Sequence, residues 1–108
     1  MPRGPEAKIQ DASVKNARKM GCMAIKLDST TYSGLPDYLL SHINCGPFLM
    51  EFKAPGSVPR PLQVERHKQM ADAGFVVFPC VSSTRVAAEI VEDMINRRKP
   101  RHKPVAGL

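Results

Sequence analysis

The chain has no tryptophan and no apolar run approaching the roughly 18 residues that a membrane-spanning helix needs, so no transmembrane segment is expected. Its opening, MPRGPEAKIQ, lacks the apolar stretch of a secretory leader, so none is expected either. Only three cysteines are present, Cys22, Cys45 and Cys80. They are too few and too scattered for a disulfide framework or a zinc knuckle. Each lies in or beside an apolar stretch, which predicts buried or half-buried free thiols in a reducing compartment. There are no internal repeats, and nothing marks a second domain. Residues 97–103, Arg-Arg-Lys-Pro-Arg-His-Lys, carry five formal positive charges and no acid.

What remains is 108 residues, 43% of them hydrophobic, enough for one domain with a modest core. The net charge of +6 and a pI near 9.6 favour a polyanionic partner without naming it. The basic tail has two readings at this stage: a segment that grips phosphates, or a solvated, frayed terminus.

Residues 5–20 read as a helix. Pro5 suits its first position, Gly21 its end, and Glu6, Ile9, Ser13, Val14, Ala17 and Met20 share its inner face. Glu6 is the odd member: a first-turn acid complementing the helix dipole, or a carboxylate aimed inward. Residues 22–28 alternate as a half-buried strand, with Met23, Ile25 and Leu27 on one face and Lys26 on the other. A polar loop, residues 29–34, holds Tyr32 and Ser33. Residues 37–43 form the next strand, entered through Pro36, with His42 read as structural or exposed rather than as a metal ligand. After a turn at Asn44-Cys45-Gly46-Pro47 comes a strand from Phe48 to Lys53. A proline-rich loop, 54–61, leads to a helix over Leu62–Ala73. Its inner face would hold Leu62, Gln63, Arg66, His67, Met70 and Ala73, so polar that either it lines a cleft or the helix is rotated and these are surface residues. Residues 75–81, FVVFPCV, read as a strand central in the sheet, with Pro79 placing its far end at an edge or bulge. Ser82 or Ser83 caps a last helix, 84–97, with Val86, Ile90, Val91 and Met94 inward. The order αβββαβα predicts an α/β fold, a small mixed β-sheet flanked by helices.

The chemistry concentrates in residues 34–53. Asp37 precedes Glu51-Phe52-Lys53 by hairpin spacing, so two adjacent strands bring Asp37 beside Glu51 and Lys53. Strand alternation puts Glu51 and Lys53 on one face and Phe52 on the other. Two carboxylates and an ammonium at one sheet edge suit a hard divalent cation and a phosphodiester.

Gly34-Leu35-Pro36-Asp37, Met50-Glu51-Phe52-Lys53-Ala54-Pro55-Gly56, Gln63 in the following helix and Gly74 before the apolar strand resemble the VRR-NUC family, the virus-type replication and repair nucleases of the PD-(D/E)xK superfamily. The combination is far more specific than either half. It spans roughly residues 5–95, and Glu6 stands where such proteins place a first-helix acid.

The resemblance implies a restriction-endonuclease-like core forming one nuclease domain, with the basic tail outside the match. It implies Mg²⁺ or Mn²⁺, as one or two ions, held by Asp37, Glu51 and the backbone carbonyl of Phe52, with Glu6 joining directly or through water. Lys53 would orient the attacking water or steady the transition state, and Gln63 would position water, lysine or phosphate. Hydrolysis would leave a 5′-phosphate and a 3′-hydroxyl. Alanine at Asp37, Glu51 or Lys53 is expected to abolish cleavage with the fold intact. The expected substrate is branched DNA, above all the four-way (Holliday) junction of repair and recombination, cut by a homodimer in the bacterial cytoplasm, phage-encoded or bacterial. Lys26, Tyr32, Ser33, Arg66 and His67 are the candidate DNA contacts. A flap or nicking nuclease, and a non-catalytic nucleic-acid-binding module, are the competing readings.

Overall fold

The computed structural model describes residues 4–28 and 30–108; Ser29, at the start of the predicted polar loop, lies outside the described residues. Its elements are α1 (Pro5–Lys19), β1 (Met23–Lys26), β2 (Tyr38–His42), β3 (Gly46–Phe52), α2 (Pro61–Asp72), β4 (Val77–Val81) and α3 (Thr84–Ile95). The expected αβββαβα order is the observed one. Proline opens both α1 and α2, where its missing N–H costs nothing, and the Ser83 hydroxyl caps α3 by accepting from the Val86 N–H at 3.0 Å.

The four strands form one mixed sheet in the order β1-β2-β3-β4. The first three are antiparallel neighbours, with Tyr38 opposite Met50 and Leu40 opposite Phe48, and β4 runs parallel to β3. The β3 strand is buried on both faces. Phe48, Met50 and Phe52 join the core beneath α1 and α3, with Leu40, Phe78, Ile90 and Val91. The alternate residues Leu49 and Glu51 face the α2 side. Phe48 and Phe78 meet edge to face, centroids 6.3 Å apart. Each such buried side chain contributes roughly 1.5–3 kcal/mol of hydrophobic stabilisation.

Several expectations are corrected. In β1 the buried residue is Ala24, while Met23 and Ile25 are 67% and 47% exposed. The strand is an open edge whose Ala24 face packs toward α1, and α2 lies too far across the sheet to cover the other. β4 is an edge strand rather than a central one. Its apolar character comes from helices on both faces and from the C-terminal segment, whose Val105 N–H donates to the Val77 carbonyl at 2.8 Å. Pro79 does sit in an irregularity: the register shifts between the Met50–Phe78 and Phe52–Val81 pairs. That shift turns Cys80 outward, so it is exposed; Cys22 is buried and Cys45 half-buried, and all three thiols are free. The inner face of α2 is Gln63, His67 and Ala71, with Leu62 and Ala73 turned to solvent.

The tail is neither frayed nor an open row of cations. The Arg101 backbone N–H and guanidinium donate to the buried Asp93 carboxylate at 3.0 Å, holding that acid below the usual carboxylate range. Arg98 pairs with Glu92 at 2.9 Å, and His102 Nε2 lies 2.8 Å from Glu89. Arg98 and Arg101 are thus spent on the acidic side of α3. The chain end then lies against α2, where a side chain at Gly107 would collide with the Ala71 carbonyl. Among the described residues no helix is long and apolar enough to cross a membrane.

Candidate active site

The β2–β3 register sets the site. With Tyr38 opposite Met50, the chain just before β2 lies beside Glu51 and Phe52, and Asp37 Oδ2 accepts from the Phe52 N–H at 2.8 Å. A single backbone hydrogen bond therefore fixes where this carboxylate sits. On the other side, Lys53 leaves β3 with its N–H bonded to the Val81 carbonyl at 3.0 Å. Its ammonium lies 3.2 Å from Glu51 Oε2. Glu6, in the first turn of α1, completes an acidic cluster: one oxygen from each of Glu6, Asp37 and Glu51 lies within 4.8 Å of the others.

Gln63, one turn into α2, ties the parts together. Its Oε1 accepts from Lys53 Nζ at 2.9 Å and from the Arg60 N–H at 3.0 Å, while its Nε2 donates to Glu51 Oε2 at 3.1 Å. These residues line a pocket of about 470 Å³ with Ser33, Gly34, Leu35, Arg60 and Leu62. A hollow of about 590 Å³ opens along α1, but Asp11 is the one acid lining it, so it offers no carboxylate cluster.

Glu51 is 2% exposed. Burial, then the Asp37 charge, raise its carboxyl to about 7, and the Lys53 ammonium only partly offsets this. Its Oε1 is buried with no hydrogen-bond partner. A buried oxygen without a donor, among three clustered carboxylates, is the environment a hard cation would satisfy.

Pro36 and Gly34 place the turn before Asp37. Gly34 has φ +82°, and a Cβ there would lie 3.0 Å from Arg66 Cβ and 3.2 Å from the Leu62 carbonyl. Only a glycine allows both the left-handed backbone and this approach to α2.

The other sequence candidates scatter. Ser33 lines the pocket. Lys26 points to α1, donating to Gln10 Oε1 at 2.9 Å with its ammonium 5.2 Å from the Tyr38 ring, and lines no part of the acidic pocket. Tyr32 and Arg66 stack on each other beside the pocket. His67 is 1% exposed, so no DNA contact reaches it in this structure; burial, then the Lys53 ammonium, lower its pKa and keep the ring neutral. His42 stands apart from the acids, accepting through Nδ1 from the Asn44 N–H at 3.1 Å. Leu62, read on the cleft-lining face of the helix, does line the pocket, and Arg60 is a pocket residue that sequence reasoning missed. The signal for Arg60 was its place just before Pro61, at the mouth of α2.

No family model matches the chain. Over 72 residues the chain is 35% identical to a curated protein named "Putative nuclease p44" from Acyrthosiphon pisum secondary endosymbiont phage 1, a match spanning 67% of this chain and 77% of that protein. A solved structure titled "VRR_NUC domain" superposes with a TM-score of 0.74 at 24% identity, covering 83% of this chain and 97% of that one. At that identity the likeness speaks for the fold.

Proposed function

The chain belongs to the VRR-NUC family of the PD-(D/E)xK superfamily, and from that premise we propose that it is a metal-dependent, structure-selective DNA endonuclease folded as a single nuclease domain. The observation that carries the reading is the convergence of Glu6, Asp37 and Glu51 within 4.8 Å, beside a lysine ion-paired to Glu51.

Asp37 and Glu51 would hold Mg²⁺ or Mn²⁺, with the Phe52 carbonyl as a further oxygen ligand and Glu6 completing the set for one or two ions. The orphaned Glu51 Oε1, and the burial beside the Asp37 charge that raises the Glu51 carboxyl, both support that assignment. A divalent ion there supplies positive charge to the phosphate and acidity to a bound water. Lys53, steadied by Gln63, directs its ammonium at the attacked phosphate and its water. Gln63 holds Lys53 and Glu51 in mutual register through opposite ends of one amide. The water oxygen bonds to phosphorus, the bond to the 3′ oxygen breaks, and that oxygen takes a proton, leaving a 5′-phosphate and a 3′-hydroxyl.

The substrate is branched DNA, with the four-way junction foremost. Among the described residues the elements are those of the nuclease core alone, so phosphate contacts and DNA shape carry recognition there. A junction has two-fold symmetry and the described residues of each chain hold one acidic cluster, so two copies act together. The test is a gel panel of labelled junction, flap, duplex and single strand with Mg²⁺, Mn²⁺ or EDTA, paired with light scattering. Junction cuts that vanish in EDTA and a dimeric mass support the reading. Cleavage in EDTA, or full junction cleavage by a monomer, overturns it.

A further inference from the structure

Beyond the Gly34 turn the acidic pocket adjoins a second hollow of about 440 Å³, walled by Tyr32, Leu35, Arg66, Met70 and Phe75. Leu35 lines both. The chemistry differs sharply: the acidic pocket gathers carboxylates, whereas this groove is apolar with one cation and no acid. Tyr32 and Phe75 are each 51% exposed, leaving two aromatic rings half-exposed on one hollow. The Arg66 guanidinium carbon lies 4.0 Å from the Tyr32 ring centroid, a stacked cation–π pair.

Arg66 is held in place by neutral groups. Its Nε donates to the Ser33 carbonyl at 2.9 Å, and its Nη1 donates to the Tyr32 hydroxyl at 2.8 Å and to Gln69 Oε1 at 2.7 Å. No carboxylate pairs with it among the described residues, so a fixed guanidinium keeps its full charge beside half-exposed aromatic surface. An apolar peptide would leave that charge unanswered. A nucleotide answers both halves: its base stacks on aromatic and guanidinium faces, and its phosphate meets the charge. Tyr32 adjoins Ser33, which lines the acidic pocket, and adjacent Cα atoms stand about 3.8 Å apart. The groove thus borders the pocket that holds the carboxylates.

We propose that the Tyr32–Arg66–Phe75 groove is a stacking subsite for an unpaired nucleobase next to the scissile phosphate. This inference rests on the nuclease reading above and narrows its substrate class. A base inside a duplex has both faces covered, so the occupant comes from a flap, a fork or the opened branch point of a junction. Fully paired DNA leaves the groove empty.

The experiment uses the full chain and a labelled flap, with Ca²⁺ replacing Mg²⁺ for binding. An abasic nucleotide is placed in turn at each position flanking the cut. One position is expected to weaken binding ~5- to ~150-fold, and 2-aminopurine at that position should be quenched on binding. Tyr32→Leu should reproduce the loss on the parent flap and add nothing on the abasic one, while Tyr32→Phe, which keeps the ring, should bind nearly as wild type. Equal affinity for parent and abasic flaps at every position overturns the subsite, and so does a Tyr32→Leu loss that is the same on both. If Tyr32→Leu fails to fold, the abasic series on the wild-type chain decides alone. Cleavage of the parent flap in Mn²⁺ is scored beside it. No cleavage of any substrate overturns the nuclease reading, whereas cleavage with no abasic penalty overturns the subsite only.

Discussion

The Asp37 carboxylate accepts the Phe52 backbone N–H at 2.8 Å, so one side chain serves both the acidic cluster and the β2–β3 pairing. The two duties separate by substitution. Asp37→Asn keeps an acceptor for that N–H and should melt near wild type while losing cleavage. Asp37→Ala strands a partly buried donor and should also lose about 1–3 kcal/mol of stability, read from urea unfolding. Equal stability of the two variants would remove the structural duty.

Glu51 makes metal-free stability depend on pH. Its carboxyl rises from an ordinary 4.5 to about 7, so between those values the folded chain keeps a proton that the unfolded chain has released. The stability contributed by that proton is fully present below 4.5 and is lost as pH rises through about 7. The span corresponds to a cost on the order of 3 kcal/mol above pH 7. Glu51→Gln should therefore unfold at higher temperature than wild type at pH 8 in EDTA, with the gap closing by pH 4.5. A constant gap across that range would contradict the assignment.

Glu6 is exposed at the rim of the cluster, whereas Glu51 is deeply buried. Glu6→Gln should weaken Mn²⁺ binding in calorimetry by about tenfold, corresponding to about 1.4 kcal/mol, and leave the fold untouched. Glu51→Gln should weaken it far more. Unchanged Mn²⁺ affinity in Glu6→Gln would take Glu6 out of the site.

Gly34→Ala should move the turn without touching a carboxylate. The added methyl meets Arg66 Cβ and the Leu62 carbonyl in a left-handed backbone, at a cost of about 1–2 kcal/mol. Cleavage should fall chiefly through a raised KM, because the turn carries Tyr32 and Ser33 rather than the acids. A fall in kcat at unchanged KM would place the turn's role elsewhere.

Arg101→Ala should lower the melting temperature, because Asp93 is buried and loses both guanidinium hydrogen bonds while keeping the backbone one. The salt dependence of DNA binding should stay as in wild type, since this charge is already paired. A shallower salt slope in that variant would return Arg101 to the DNA-contacting surface.

Much of this was legible in residues 34–53. Period-two alternation is a backbone property, so the split of Phe52 from Glu51 and Lys53 followed from spacing alone. Gln63 was legible as an inward polar residue, though its bridge between Lys53 and Glu51 was not. What failed depended on partners distant in sequence. The exposure of Met23 and Ile25 follows from where α2 stops across the sheet. The edge position of β4 and the pairing of the tail follow from Val105 meeting Val77 and Arg101 meeting Asp93. Local pattern carries no record of such encounters. His67 looked like a cleft residue because its helix face is shared with Gln63, but one turn further along that face the sheet closes over it.

The sheet's neighbour order repeats its chain order, and this bears on how the molecule assembles. Asp37, Glu51 and Lys53 lie within a single β2–β3 hairpin and its flanks, so closing one short loop brings the two carboxylates and the lysine together. The long-range closures, β4 onto β3 and the C-terminal segment onto β4, supply none of these three side chains, although the Val81 carbonyl anchors the Lys53 backbone. The hairpin part of the acidic cluster is therefore of low contact order and expected to form early, with Glu6 joining only when α1 docks.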